Sequence, residues 1–420
     1  MRKPVITLAA ALLISLLAVG CSTVKSTGQS NTNSGAGTSD AAATTPGVTS
    51  STISLGYLTD LSGPASGAGK ETYQGSKLYV DQLNSSGGVC GRQVKLTVQD
   101  DQYNPQTALS LYQQSSKQVL DYMAVLGTPI LSALEPQMEQ DKILTVTQSW
   151  DASLLEDSNL IVAPSTSDMD IVAGLGYLSQ HGLLKSGDAI GAVYIAGLGE
   201  PQMAGVDYAA SRLGLKAVKI EVQATDTDLS SQLQQFKNAG VKAIVAAGLP
   251  TQTAAAAAGE TAVGLNVPIV TGTAGFVSSL TQGQAAPAVE SHVYVVLGWS
   301  PFSADNSQVK QVVSAYNANN GGTAPDEGIV LGWAEAKLYT DIIAKSCGNL
   351  TRDGLLSAYR TISNLQMTGL MPDLDFAKPG QAPARAYDIT QPSASQAGGL
   401  KLISQPFITP ALLKNYQPAT

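Results

Sequence analysis

Residues Val94–Leu126, VKLTVQDDQYNPQTALSLYQQSSKQVLDYMAVL, carry the pattern that decides the fold. Val94–Val98 alternates apolar and polar side chains, which is the period of a half-buried strand. Asn104-Pro105 then supplies an N-cap and a first-turn proline, a local helix signal worth about 1 kcal/mol. A second β-branched and apolar run, Met123–Leu126, follows the helical stretch. Two strands joined by a helix imply a parallel βαβ unit rather than a hairpin, which needs only a tight turn.

The same alternation extends in both directions. Strand-like runs fall at Ile53–Leu58, Ile143–Thr147, Ala189–Ile195, Ala243–Ala247, Val267–Val270 and Val293–Leu297. Tyr73–Leu83 places Tyr73, Leu78, Val80 and Leu83 among polar residues at helical spacing, and Ser85-Ser86-Gly87-Gly88 ends it. Roughly two sets of four or five units make two similarly built α/β lobes. A length of 420 residues agrees, at roughly 100–200 residues per domain.

Composition narrows the function classes. With Lys+Arg 24 against Asp+Glu 32, the net charge of −8 disfavours a nucleic-acid binder, which needs basic surface for phosphates. Two His (His181, His292) and three Cys leave no basis for a His/Cys-rich zinc site. No metal or cofactor is expected. There is no G-x-S-x-G elbow and no H-E-x-x-H. Gly69-Lys70-Glu71 fails as a P-loop, because Pro64 stands where the first Gly belongs and Glu71 replaces the Mg²⁺-binding Ser/Thr. Asp100-Asp101 fits turn and cap chemistry, and His181 fits a helix C-terminus. No nucleophile–base pair stands out, so the chain is not expected to be an enzyme.

Ligands of open parallel sheets sit beyond the carboxyl ends of the strands. The junctions there read Gly127-Thr128-Pro129, with Thr128 as N-cap, then Gln148-Ser149-Trp150-Asp151, Gly197-Leu198-Gly199-Glu200-Pro201 and Gly248-Leu249-Pro250-Thr251. Each alone fits a turn and cap. Four in matching positions on two lobes favour a cleft.

The N-terminus is an address. Arg2 and Lys3 precede the apolar run Val5–Val19, too short for a membrane span of about 20 residues. Leu17-Ala18-Val19-Gly20-Cys21 resembles a bacterial lipobox, with Ala18 where Leu is usual and Cys21 as the diacylated mature N-terminus. Residues 1–20 are thus read as a lipoprotein signal peptide. Residues 21–52 form a tether: Ser, Thr and Gly fill 19 of the 31 positions 22–52, with no Leu, Ile, Met or aromatic residue. Cys90 and Cys347 remain as an even pair in an oxidising compartment, each in a Gly-flanked turn. A disulfide between them is expected, two free thiols being the alternative.

Further residues carry a family resemblance. Leu58-Thr59-Asp60-Leu61-Ser62-Gly63-Pro64, Tyr73-Gln74-Gly75, Asn84-Ser85-Ser86-Gly87-Gly88-Val89, Val98-Gln99-Asp100-Asp101 and, further on, Asp228-Leu229-Ser230 with Phe236-Lys237-Asn238-Ala239-Gly240-Val241-Lys242 resemble the leucine/isoleucine/valine-type solute-binding proteins of ABC importers. The resemblance spans about residues 53 to 390. It implies the type I periplasmic-binding fold, in which two Rossmann-like lobes with parallel-sheet cores are joined by a three-strand hinge. The implied partition is 53–165 and 293–364 for lobe 1, and 166–292 with 365–420 for lobe 2. That places the segment holding Cys347 on the lobe of Cys90.

What the resemblance implies for the ligand is mixed. The α-carboxylate positions fall near Thr128 and Ser132 and at Ser149 and Asp151. The acidic position for an α-ammonium, in the second lobe, falls on Ala274, with Phe276 two residues on. The closing aromatics fall near Ala68, Leu198 and Leu249. A branched-chain amino acid would then need Asp151 or Glu200 as the replacement acid, because a buried unpaired ammonium costs several kcal/mol. An amide, organic acid or aromatic acid is the alternative ligand. Trp150 reads equally as a stacking wall and as a core or hinge residue. The expected protein is a monomeric, extracytoplasmic receptor, lipid-anchored to the bacterial cell membrane, that delivers a small molecule to ABC permease subunits. The alternative is a ligand-sensing lipoprotein feeding a signalling partner.

Overall fold

The computed structural model describes residues 45–320 and 324–418. The expected signal peptide, Cys21 and the tether as far as residue 44 lie outside the described residues. The tether's end is corrected. Residues 45–51 form an ordered turn in which Val48 is buried, bridges Ile53, and donates its N–H to the Thr45 carbonyl at 3.2 Å. The valine of this stretch finds the core, so order begins before residue 53.

The first sheet is built from β1 (Thr52–Thr59), α1 (Ser66–Ser85), β2 (Gln93–Asp100), α2 (Pro105–Ser115), β3 (Asp121–Leu126), α3 (Thr128–Asp141), β4 (Thr145–Gln148) and β5 (Leu160–Ile161). Its strands run parallel in the order β2-β1-β3-β4-β5. Asn104 caps α2 by accepting from the N–H groups of Gln106 and Thr107, and Pro105 follows at the first position. After α4 (Ser167–Gln180) come β6 (Ala189–Ile195), α5 (Met203–Leu213), β7 (Lys216–Val222), α6 (Ser230–Asn238), β8 (Val241–Ala247), α7 (Pro250–Val263), β9 (Ile269–Thr271), α8 (Ala286–His292) and β10 (Val293–Leu297). These five strands pair in parallel in the order β7-β6-β8-β9-β10, repeating the first sheet's order.

The chain then adds α9 (Ser307–Asn320), α10 (Gly328–Lys345) and α11 (Arg352–Arg360) before β11 (Asp388–Pro392) and β12 (Leu400–Leu402) extend the second sheet antiparallel. The expected switch of lobes at residue 293 is corrected by β10. Val293, Val295 and Val296 are fully buried, and the strand pairs with both β9 and β11. The chain therefore leaves the second sheet only after Leu297.

Helices α9 to α11 return to the first sheet's side. α10 packs on α1, where Ser76 Oγ donates to the Gly332 carbonyl at 2.9 Å. Arg352 at the start of α11 donates to the carbonyls of Leu120, Asp141, Ser116 and Val119, tying the returned segment to the loops beneath β3. Cys90 and Cys347 form a disulfide, with Cα atoms 5.3 Å apart, joining the turns that follow α1 and α10. Among the described residues no helix is long and apolar enough to cross a membrane.

Candidate functional site

In each sheet the strand order reverses beside its first strand, so the loops after β1 and β3, and after β6 and β8, splay apart and leave a crevice. The loop after β1 is fixed by Asp60, whose carboxylate accepts from the N–H groups of Ser62, Gly63 and Ala65. That bonding explains the residue order Asp60-Leu61-Ser62-Gly63-Pro64. At its rim Asp100 accepts from Leu61 N–H, Gln102 N–H and the Ser62 hydroxyl, as turn chemistry requires.

After β3 the expected cap is corrected. Helix α3 begins at Thr128 itself, and its N-cap is Gly127 at φ +100°, with no side-chain cap. Tyr103 stands so close to Gly127 that a Cβ there would lie 2.5 Å from the ring, so only glycine fits. Freed from capping, the Thr128 hydroxyl lies 2.6 Å from Ser149 Oγ, across the gap between β3 and β4. The first-turn N–H groups of Thr128 and Ile130 lie at this end, Pro129 contributing none.

These loops enclose a cavity of about 330 Å³. The first-sheet side contributes Pro64, Ala68, Glu71, Thr128 and Gln148, and the second-sheet side contributes Pro201 and Val277 among others. Thr128, Ser149, Trp150, Asp151, Leu198, Leu249, Ala274 and Phe276 all line it. Ser132, one turn further along α3, is exposed and outside the lining, and Glu200 is exposed as well. Asp151 lines the cavity with its carboxylate already engaged, because Oδ1 accepts from Ser153 N–H and Ser153 Oγ, both at 2.9 Å. Trp150 lines the cavity, its indole N–H donates to the Ala163 carbonyl at 2.9 Å, and its ring centroid lies 6.0 Å from that of Trp299.

Several lining residues carried no signal in the sequence. Glu71 on α1, and Asp326 and Glu327 just ahead of α10, bring three carboxyl groups to the wall. Burial, with Asp326 beside it, pushes Glu71 up to about 8. Asp326 is raised by burial against hydrogen bonds from Ser278 N–H and Glu327 N–H. Ser278 donates both its N–H and its hydroxyl to Asp326, at 2.9 Å each, linking the segment ahead of α10 to the loop after β9. Behind the wall, Gln148 donates to Tyr57 OH at 3.1 Å and to Glu335 Oε2 at 2.7 Å. The Thr72 hydroxyl donates to Gln148 Oε1 at 3.3 Å. Burial pushes Glu335 up to about 8. Both amide hydrogens and the amide oxygen of Gln148 are thus occupied, which fixes its face toward the cavity.

The wall is mostly apolar, and among the described residues no Lys, Arg or His lines it. A pocket of this size and character suits a small organic molecule held by a few polar groups.

Comparison with known proteins agrees. A family model described as periplasmic binding protein matches residues 52–398. The chain is similar to a fatty acid ABC transporter substrate-binding protein from Thermomonospora curvata, at 32% identity over 89% of this chain and 97% of that one, with a TM-score of 0.83. A branched-chain amino acid ABC transporter structure from Thermus thermophilus with bound valine shares the fold at 19% identity, over 86% of this chain and 98% of that one, with a TM-score of 0.74. A leucine-binding protein from Thermotoga maritima does so at 16% identity, over 84% and 98%, with a TM-score of 0.69. No curated protein sequence matches the chain.

Proposed function

The chain belongs to the periplasmic binding protein family, and from that premise we propose that it is a lipid-anchored, extracytoplasmic receptor for a small apolar carboxylic acid. It closes over the acid and delivers it to an ABC permease; no covalent chemistry is required, only a difference in affinity between open and closed states. The lobes are taken as 45–165 with 298–364, and 166–297 with 365–418.

One observation carries the choice of ligand. The second-lobe side offers Leu198, Leu249, Ala274 and Phe276, and no acid at the position where an ammonium would be met. Asp151 Oδ1 is held by Ser153 and Glu200 lies outside the cavity lining, which argues against either as the replacement acid. At the other side the α3 N-terminus, with the Thr128 and Ser149 hydroxyls, suits a carboxylate. The fatty acid specificity in the name of the Thermomonospora curvata relative points the same way.

Thermal-shift and calorimetric titrations with octanoate, isobutyramide and leucine test this. Octanoate is expected to raise the melting temperature most and leucine least. Ala274→Asp, which adds a carboxylate to the apolar wall, is expected to weaken octanoate at least about tenfold, equivalent to about 1.4 kcal/mol, and to strengthen leucine. Tighter binding of leucine than of octanoate by the unaltered protein would refute the organic-acid assignment.

The anchor is tested separately. Cys21→Ser is expected to move the protein from the membrane fraction to the soluble fraction, because the net charge of −8 gives no attraction to anionic lipid. Retention of the variant in washed membranes would remove the lipid from the account.

A further inference from the structure

Glu71 lies in the second turn of α1, with its carboxyl on the cavity wall. It accepts no hydrogen bond among the described residues. Among the described residues no Lys, Arg or His lines the cavity wall with it. From the segment ahead of α10 it faces Asp326 and Glu327, and from α9 the phenol of Tyr316. Asp326 is held by Ser278 and by Glu327 N–H, and Glu327 accepts from Phe302 N–H at 2.8 Å. Asp326 and Glu327 Oε2 are committed to the backbone around them, while Glu327 Oε1 is buried without a partner. Glu71 is the one of the three whose carboxyl accepts no hydrogen bond among the described residues.

We propose that Glu71 is a specificity-determining residue of the cleft, meeting the ligand as a neutral carboxyl that donates its O–H to an anionic oxygen of an apolar acid. The inference rests on the organic-acid ligand argued above. A carboxylate entering a wall without cations would face repulsion from three acids, and a proton retained on Glu71 turns one of them from a repelling group into a donor. Burial beside Asp326, which pushes Glu71 up to about 8, leaves that proton in place at neutral pH. An ammonium at this wall would have the opposite effect, drawing the proton off. Acid and amino-acid ligands therefore leave opposite pH signatures at one side chain.

Octanoate affinity, measured by isothermal titration calorimetry from pH 6 to 9.5, separates them. The unaltered protein is expected to hold a constant affinity up to about pH 8 and then to weaken, approaching about tenfold per pH unit, as binding takes up one proton. Titrations in buffers of different ionisation enthalpy are expected to count that uptake rising toward one at pH 9. Glu71→Gln keeps a donor that does not titrate, so its profile is expected to be flat, while Glu71→Ala is expected to bind more weakly than the unaltered protein at neutral pH. A flat profile in the unaltered protein, or an alkaline decline that persists in Glu71→Gln, overturns the proposal. Failure of octanoate to bind at all refutes the organic-acid ligand and the role of Glu71 with it. Binding without proton linkage refutes the role of Glu71 alone.

Discussion

Serine at both Cys90 and Cys347 is expected to destabilise the protein by about 2–5 kcal/mol without changing ligand affinity. The two residues are 257 apart in sequence, so reduction releases a long closed loop in the unfolded chain. Loop-closure entropy for that length sets an upper value of about 5 kcal/mol. For a folded part of this size the thermal midpoint should fall by about 3–8 °C. The bond lies far from the cavity. Glu71 and Thr72 sit near the start of α1, and at 1.5 Å per residue the fourteen residues to Ser85 put the disulfide end about 20 Å away. Stability and binding should therefore separate. Calorimetric melting of the variant, and of the unaltered protein with and without reductant, checks the first half. A midpoint within 1 °C of the oxidised protein would show that the cross-link adds nothing to what the α1–α10 contact already holds.

What the sequence made legible follows from burial. Strands β6 and β10 lie where β-branched runs place them, residue for residue, because both are buried and apolar along their length. Strand β7, KAVKIEV, carried no comparable signal: it is the sheet's edge, with Lys216, Ala217, Lys219 and Glu221 exposed, and its alternation is half charge. β11 and β12 were hidden for another reason. They join the sheet antiparallel and from far along the chain, a pairing set by tertiary contact rather than by local period.

The site divides in the same way. Thr128, Ser149, Trp150, Leu198 and Leu249 were visible because each follows a recognisable strand, and a parallel sheet fixes which end of a strand faces the ligand. Ser132 and Glu200 lie outside the cavity lining because one helical turn, or one residue at the end of a loop, suffices to carry a side chain out of the crevice. Glu71 was invisible for a deeper reason. In sequence it is a charged residue beside Lys70 on the polar face of a helix, and such residues are ordinarily solvated. Only the return of residues 324–345, more than 250 positions later, covers it and supplies Asp326 and Glu327 as neighbours. The cavity wall on the first-sheet side is thus made by a contact between α1 and α10 that neither helix encodes alone.

That contact is also the place where one substitution should do most damage. Gly332→Val is expected to cost about 3 kcal/mol or more and to abolish ligand binding. A Cβ at Gly332 would lie 1.9 Å from the Thr72 carbonyl oxygen, and one at Gly75 would lie 2.1 Å from the Ile329 carbonyl oxygen. Both obstacles are backbone, so no rotamer relieves them; the helices must part. Parting breaks the bond from Ser76 Oγ to the Gly332 carbonyl. It also withdraws Glu71 and Thr72 on α1, and Leu331 on α10, from a common wall. The smaller change Gly332→Ala is the sharper test. Inside an ordinary helix, glycine to alanine stabilises by about 1 kcal/mol. Here the sign should reverse, because the added methyl meets the Thr72 carbonyl before any gain in helix propensity is felt. Urea midpoints of Gly332→Ala and Gly332→Val, with octanoate titrations at neutral pH, read both effects. An alanine variant more stable than the unaltered protein would mean that α1 and α10 do not touch backbone to backbone. The cavity wall would then need another support.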